Sequence, residues 1–207
     1  IAYANGGENG NTPGVSVQKE IVTNYNGTPF GVSSGYLPAN TSSLGPSLIV
    51  KGEYNRPYII MTASEVQFLL AEAKQRYSDL TLPNTAKAYF EEGIKQSFRV
   101  LGANVAGAEN FKGSKINNYD WDASTDKLAA IAIQKWTALT NFSGLEAWAE
   151  YRRTNLPVTP QSIQIIGETK RPVRFFYPNT ELGSNGENVK AQGTIDVFAT
   201  KLFWDVD

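Results

Sequence analysis

Arg56-Pro57-Tyr58-Ile59-Ile60-Met61-Thr62-Ala63-Ser64-Glu65-Val66-Gln67-Phe68-Leu69-Leu70-Ala71-Glu72-Ala73 joins an extended apolar run to a signposted amphipathic helix. Thr62 with Glu65, and Ser64 with Gln67, form two overlapping capping boxes that satisfy the free N–H groups of a first helical turn. Val66, Leu69, Leu70, Ala73 and Tyr77 follow at i, i+3, i+4, i+7 and i+11, which predicts one apolar stripe. Glu72 and Arg76 pair at i,i+4 outside it. The Leu80–Pro83 stretch ends the pattern.

Working outward, a second helix is expected from Asn84 as N-cap, burying Ala86, Tyr89, Phe90, Gly93, Ile94, Phe98 and Leu101 and stopping at Gly102. Lys87, Glu91 and Lys95 ladder its solvent face. Gly93 costs about 1 kcal/mol of helix propensity relative to alanine, which predicts close approach of a neighbouring helix there. Two antiparallel helices with small residues at their contact make a tetratricopeptide-like pair, although no clean repeat period recurs. Residues 103–123 read as a loop. A third helix is expected from about Ser124, with Leu128, Ile131, Ala132, Lys135, Trp136 and Leu139 on one face. A fourth opens at Ser143, boxed by Glu146, carries Leu145, Trp148, Ala149 and Arg152 on one side, and stops before Pro157. Trp136 and Trp148 read as core anchors. Beyond Pro157 there is no helical period, and Ile163–Ile166 and Val173–Phe176 are short β-prone pieces that suit a small hairpin or irregular coil. The fold class is mainly α: tetratricopeptide-like helical pairs with long ordered loops and little β structure.

Residues 1–56 are rich in Gly, Asn, Ser, Thr and Pro and carry Tyr3, Tyr25, Phe30, Tyr36 and Tyr54, more rings than a disordered segment usually has. They read as ordered loops lying on a helical unit of residues 57–207. The start at Ile1 reads as a point inside a longer polypeptide whose N-terminal half is missing here.

Composition removes many functions. Of 207 residues, none is cysteine and none histidine, which excludes disulfides, thiolate nucleophiles, histidine relays and the common zinc sites. Lysine plus arginine number 19 against 20 acidic residues, so no large field draws in nucleic acid. No apolar run approaches the roughly 20 residues of a membrane span. Asp120, Asp122 and Asp126 superficially suggest a calcium loop, but Thr125 and Ile131 stand where the EF-hand needs glycine and glutamate. Helix-start capping by Ser124, Thr125 and Asp126 is favoured, and no metal or cofactor is expected.

Glu146 and Glu150 stand one helical turn apart and could serve glycoside hydrolysis. Arg153 is placed to neutralise Glu150 at i,i+3, so a structural salt bridge is favoured over a catalytic pair. Arg152 and Arg153 likewise read as ties from the helix end to nearby carboxylates and carbonyls. No catalytic residue is assigned. Carbohydrate recognition asks for aromatic faces beside groups that read hydroxyls, and the N-terminal loops supply both. Tyr25, Asn26, Tyr36 and Tyr54 are the candidate ligand-binding residues.

Gln134-Lys135-Trp136, Gly144-Leu145-Glu146-Ala147-Trp148-Ala149-Glu150-Tyr151-Arg152-Arg153, Arg171-Pro172-Val173-Arg174-Phe175-Phe176-Tyr177-Pro178 and Lys201-Leu202-Phe203-Trp204-Asp205 follow the opening stretch in order. Together these blocks resemble the C-terminal half of the SusD/RagB-like family, in particular its SusD-like variant group. The resemblance implies a non-enzymatic, lipid-anchored protein at the outer-membrane surface of Bacteroides-type bacteria. Such a protein captures oligosaccharide and delivers it to a TonB-dependent transporter, touching the membrane only through an anchor outside this chain. A helical scaffold that binds a peptide, or a carboxylate-based hydrolase, stays open as an alternative.

Overall fold

The computed structural model describes residues 58–159 and 171–205. They fall in two compact units, residues 1–160 and 161–207, described separately. Among the described residues there are helices and turns and no β-strand.

In the first unit, α1 (Ala63–Arg76) begins where the capping signal placed it. The Glu65 N–H donates to Thr62 Oγ1 at 3.1 Å, the capping bond of the expected box. The second box is not used. Ser64 lies inside the helix, and its hydroxyl donates to the Gly93 carbonyl at 2.7 Å, in the interior.

The buried face of α1 differs from the expected stripe. Val66, Leu69 and Tyr77 are exposed, whereas Ser64, Phe68, Ala71 and Glu72 are buried, with Leu70 half-buried against the core. The reason lies on α2 (Ala86–Val100), where Gly93 leaves a notch that the Phe68 ring fills. Ser64 meets Gly93 and Phe68 meets Phe90, edge to face at 6.0 Å, so the helices run antiparallel. Small residues let the backbones approach, and the one large ring takes the space that results.

The N-cap of α2 is Thr85, one residue later than expected, its hydroxyl accepting from the Ala88 N–H at 3.2 Å. Ala86, Tyr89, Phe90, Gly93 and Ile94 are buried as the pattern required. Gly102, at φ 63°, stops the helix with a left-handed residue that glycine adopts at no steric cost. The polar face pairs beyond its own helix: Lys95 with Glu109 at 2.7 Å, Glu91 with Lys112 at 2.9 Å, and Lys87 with Asp122 at 2.5 Å.

The expected loop after α2 contains a 3-10 helix, Val105–Phe111, capped by Asn104. α3 (Lys127–Leu139) is capped by Asp126, which accepts from the Ala129 N–H at 3.0 Å. Ala130, Ile131, Ala138 and Leu139 are buried on it. α4 (Gly144–Thr154) starts after Ser143, but that side chain makes no capping bond, so the expected box does not form. Leu145 and Ala149 on α4 are exposed, against the face assigned to them. Asn155, left-handed at φ 55°, ends α4 ahead of Pro157.

In the second unit, where no helix was expected, Asn179–Ser184 (α5) and Gly186–Ala191 (α6) are short helices. Val173 of the β-prone piece makes a single backbone bond to Val197, at 2.7 Å. Arg174 lies over the Tyr177 ring at 5.2 Å. The other β-prone piece, Ile163–Ile166, lies outside the described residues.

Candidate functional site

The candidate ligand residues Tyr25, Asn26, Tyr36 and Tyr54 lie outside the described residues. Within the first unit two chemically distinct places stand out, a buried charge cluster and an aromatic cleft.

The cluster joins three helices. Lys135 of α3 is only 2% exposed, with Nζ 2.8 Å from Glu150 of α4 and 3.4 Å from Glu72 of α1. Arg153 reaches both carboxylates, at 2.6 Å from Glu150 and 2.5 Å from Glu72, while Arg76 donates to Glu72 at 2.7 Å. Burial alone would raise the Glu72 carboxyl. Hydrogen bonds from Arg153 and Arg76 and the charge of Lys135 outweigh it and hold the group down to about 2. Arg153 is pushed further above its usual range, first by its hydrogen bond to Glu150 and, against some desolvation, by that to Glu72.

This geometry gives the Glu146 and Glu150 pair a structural reading. A retaining pair needs a carboxylate open to a sugar. Glu150 instead has one oxygen on Lys135 and Arg153 and the other on Arg153 Nε at 3.2 Å. Arg153 thus ties the helix end to carboxylates, as the tandem arginines predicted, and Arg152 lies over the Trp148 ring at 5.4 Å. The tryptophans are not core anchors: Trp136 is 42% exposed, beside Lys135, which α3 turns inward to the charge cluster, and Trp148 of α4 is half-buried under Arg152.

The second place is the cleft between α2 and the segment that follows it. Phe90 and Ile94 of α2 and Ala108 of the 3-10 helix form an apolar floor beneath a cavity of about 10 Å³, room for little more than one water molecule. Tyr119 and Trp121 stand at its mouth. Tyr119 is 41% exposed and stacks on Phe111 at 5.6 Å with a 22° interplanar angle, while Trp121 tilts against Phe90 at 5.3 Å. The ion-paired Glu91 and Lys112 supply a charged rim.

The loop that carries these rings is tightly knit. Asp120 accepts from the Lys115 and Asp122 N–H groups, Ser124 accepts from the Asn118 N–H, and buried Gln134 donates to the Asn118 carbonyl at 2.8 Å. Lys115 and Asn118 are held at φ 59° and 67°. Lys127 donates to the Trp121 and Ser124 carbonyls at 2.5 and 2.7 Å and sits 5.3 Å from the Trp121 ring centre. Its ammonium therefore occupies the place among loop carbonyls where a bound cation would serve. The three aspartates have separate tasks: Asp120 ties the loop, Asp122 pairs with Lys87, and Asp126 caps α3. Sequence reasoning missed this cleft. The signal was Asn117-Asn118-Tyr119-Asp120-Trp121, which mixes rings, amides and an acid as the N-terminal loops do.

Comparison with known proteins fits this helical frame. Residues 11–178 match the SusD-like family described as starch-binding, associating with outer membrane. A SusD homologue from Bacteroides vulgatus superposes with TM-score 0.63 at 26% identity, over 88% of this chain and 43% of its own. One from Bacteroides uniformis gives 0.60 at 28% identity, over 82% and 40%. A chitin-binding SusD homologue from Flavobacterium johnsoniae gives 0.56 at 28% identity, over 72% and 36%. The chain thus spans less than half the length of these structures. No curated protein matches it. With a family match over most of its residues and this arrangement of helices, the chain belongs to the SusD-like family.

Proposed function

We propose that this chain is part of a non-catalytic nutrient-binding protein at the outer-membrane surface, which captures an oligosaccharide and delivers it to a TonB-dependent transporter. The observation that carries the reading is the family match over residues 11–178, whose description joins starch binding to the outer membrane. The chitin-binding relative from Flavobacterium johnsoniae supports a glycan as the ligand class. The chemistry of the Glu72, Lys135, Glu150 and Arg153 cluster supports a scaffold role, since each carboxylate is already engaged by cations. Among the described residues no helix is long and apolar enough to cross a membrane, and attachment is proposed to be through a lipid outside this chain.

The loop-rich residues 1–56 are proposed to contribute the sugar-gripping groups Tyr25, Asn26, Tyr36 and Tyr54 against the helical residues 57–207. Calorimetric titration of the full-length protein with malto- and chito-oligosaccharides tests the reading. Binding without cleavage is expected for one of these sugar classes. Absence of binding to either, or sugar cleavage that disappears on neutralising Glu150, overturns it. Binding that survives simultaneous replacement of Tyr25, Tyr36 and Tyr54 by alanine overturns the placement of the site alone.

A further inference from the structure

We propose that Asn185 is a site of self-modification by deamidation: when the junction between α5 and α6 opens, the Gly186 backbone nitrogen attacks the Asn185 side-chain amide and turns it into a carboxylate on which the junction cannot reclose. The inference stands apart from the glycan-binding reading above and concerns the second unit alone.

The chemistry begins in the sequence. Of the four Asn-Gly pairs in the chain, Asn185-Gly186 lies among the described residues. Glycine leaves its own nitrogen unhindered and permits backbone rotations that a β-carbon forbids. The Gly186 nitrogen bonds to Cγ of Asn185 and gives up its proton to solvent, while the Cγ–Nδ2 bond breaks and the amide takes up a proton and leaves as ammonia. Water then opens the five-membered succinimide at either carbonyl, leaving aspartate or isoaspartate. The sum is asparagine plus water to acid plus ammonia, with no oxidation and no co-reactant beyond water.

The pair sits at the joint of two short helices. α5 and α6 have six residues each, and neither carries a buried residue, so they open at the low end of local stability. Gly186 begins α6, where first-turn N–H groups have no partner in their own helix. The backbone bonds that tie the joint come instead from the N–H groups of Asn185, Asn188 and Val189. A β-carbon on Gly186 would meet nothing within 4 Å, so no packed neighbour pins the glycine.

Closed, the joint keeps the reaction off. Asn185 stands at φ −136° and ψ 30°, which puts the Gly186 nitrogen on the far side of the backbone from Cβ, whereas ring closure needs the two eclipsed. The side chain is also clasped: Nδ2 donates to Glu181 Oε1, and Oδ1 accepts from Asn188 Nδ2. Attack therefore waits for the clasp to release and the backbone to turn. Afterwards the donor to Glu181 is gone and a second carboxylate faces it. Isoaspartate also adds a carbon to the main chain, which shifts the carbonyl that the Asn188 and Val189 N–H groups reach at 3.1 Å. The change runs one way.

Incubation of the full-length protein in mildly alkaline buffer, with peptide mapping by mass spectrometry and isoaspartate detection at residue 185, tests the proposal. Wild type, Asn188→Ala and Gly186→Ala are compared, together with wild type unfolded in urea. Folded wild type is expected to form product at residue 185, more slowly than the unfolded chain. Asn188→Ala, which removes one bond of the clasp, should speed it roughly two- to tenfold, and Gly186→Ala, which crowds the attacking nitrogen in open space, should slow it. No product at residue 185 in the folded wild type, or product formed as fast as in urea, overturns the proposal. So does an Asn188→Ala rate equal to that of wild type, or a Gly186→Ala rate that is no slower.

Discussion

A β-carbon placed on Gly93 would lie 2.7 Å from Cε1 of Phe68, closer than packed carbon atoms come. The relation fixes how α1 and α2 pack, because Phe68 is the largest side chain that α1 buries. Gly93→Ala sets two effects against each other. Alanine gains about 1 kcal/mol of helix propensity, but the overpacked ring costs about 1–3 kcal/mol because Phe68 has Phe90 on its other flank. The expected outcome is a net loss of up to about 2 kcal/mol in chemical denaturation. Unchanged or raised stability would mean that the ring swings aside freely.

Glu72 makes stability depend on pH in the acid range. Its folded-state value of about 2 lies below the ordinary 4.5, so the stabilisation is present above 4.5 and is lost as pH falls toward 2. The shift corresponds to at most about 3 kcal/mol, and Arg153, being half exposed, brings it below that through solvent screening. Denaturation at pH 5 and at pH 2.5 should show wild type losing more stability than Glu72→Gln over that interval. Equal losses would mean that other carboxyls govern acid unfolding.

The start signals of α1 and α3 were legible in sequence because capping is local: Thr62 acts on Glu65, and Asp126 on Ala129. The close approach at Gly93 was legible for a similar reason, since a glycine inside a helix has a recognisable cost. The buried face of α1 was not. Hydrophobic spacing favoured Val66, Leu69 and Tyr77, while burial went to Ser64, Phe68 and Glu72, whose partners are Gly93, Phe90 and Arg153. Glu72 is buried with Lys135 and Arg153, 63 and 81 residues later, joining Arg76 of its own helix around it, and no local pattern carries the two distant partners. The cleft shows the converse. Its composition was visible at Asn117–Trp121, but the ring positions depend on Phe111 and Phe90 from separate elements.

Lys135 sits between two carboxylates at 2% exposure, so its loss exposes the asymmetry between making and breaking a buried pair. Removing one partner of such a pair costs about 3–5 kcal/mol. Arg153 continues to pair with Glu72 and Glu150 here, so Lys135→Ala is expected near the low end, at about 3 kcal/mol. Lys135→Met retains the side-chain volume and should cost less. Urea denaturation of both variants checks the order. A methionine variant less stable than the alanine one would mean that cavity formation plays no part in the loss.

Lys115 offers a test of the strain in the loop beneath the cleft. It holds φ 59°, where a β-carbon crowds the following carbonyl, and the Lys115 N–H is tied to Asp120 at 3.1 Å, so the backbone cannot relax without losing that bond. Glycine removes the crowding, worth roughly 1–2 kcal/mol, but gives the unfolded chain more freedom, worth about 0.4–1 kcal/mol. Lys115→Gly should therefore stabilise the protein by about 0.5–1 kcal/mol, a rise in midpoint of a few degrees at most on thermal unfolding. Lys115→Val, with a branched side chain in the same conformation, should lower the midpoint. A glycine variant less stable than wild type would show that the left-handed turn at Lys115 is not where the loop carries its strain.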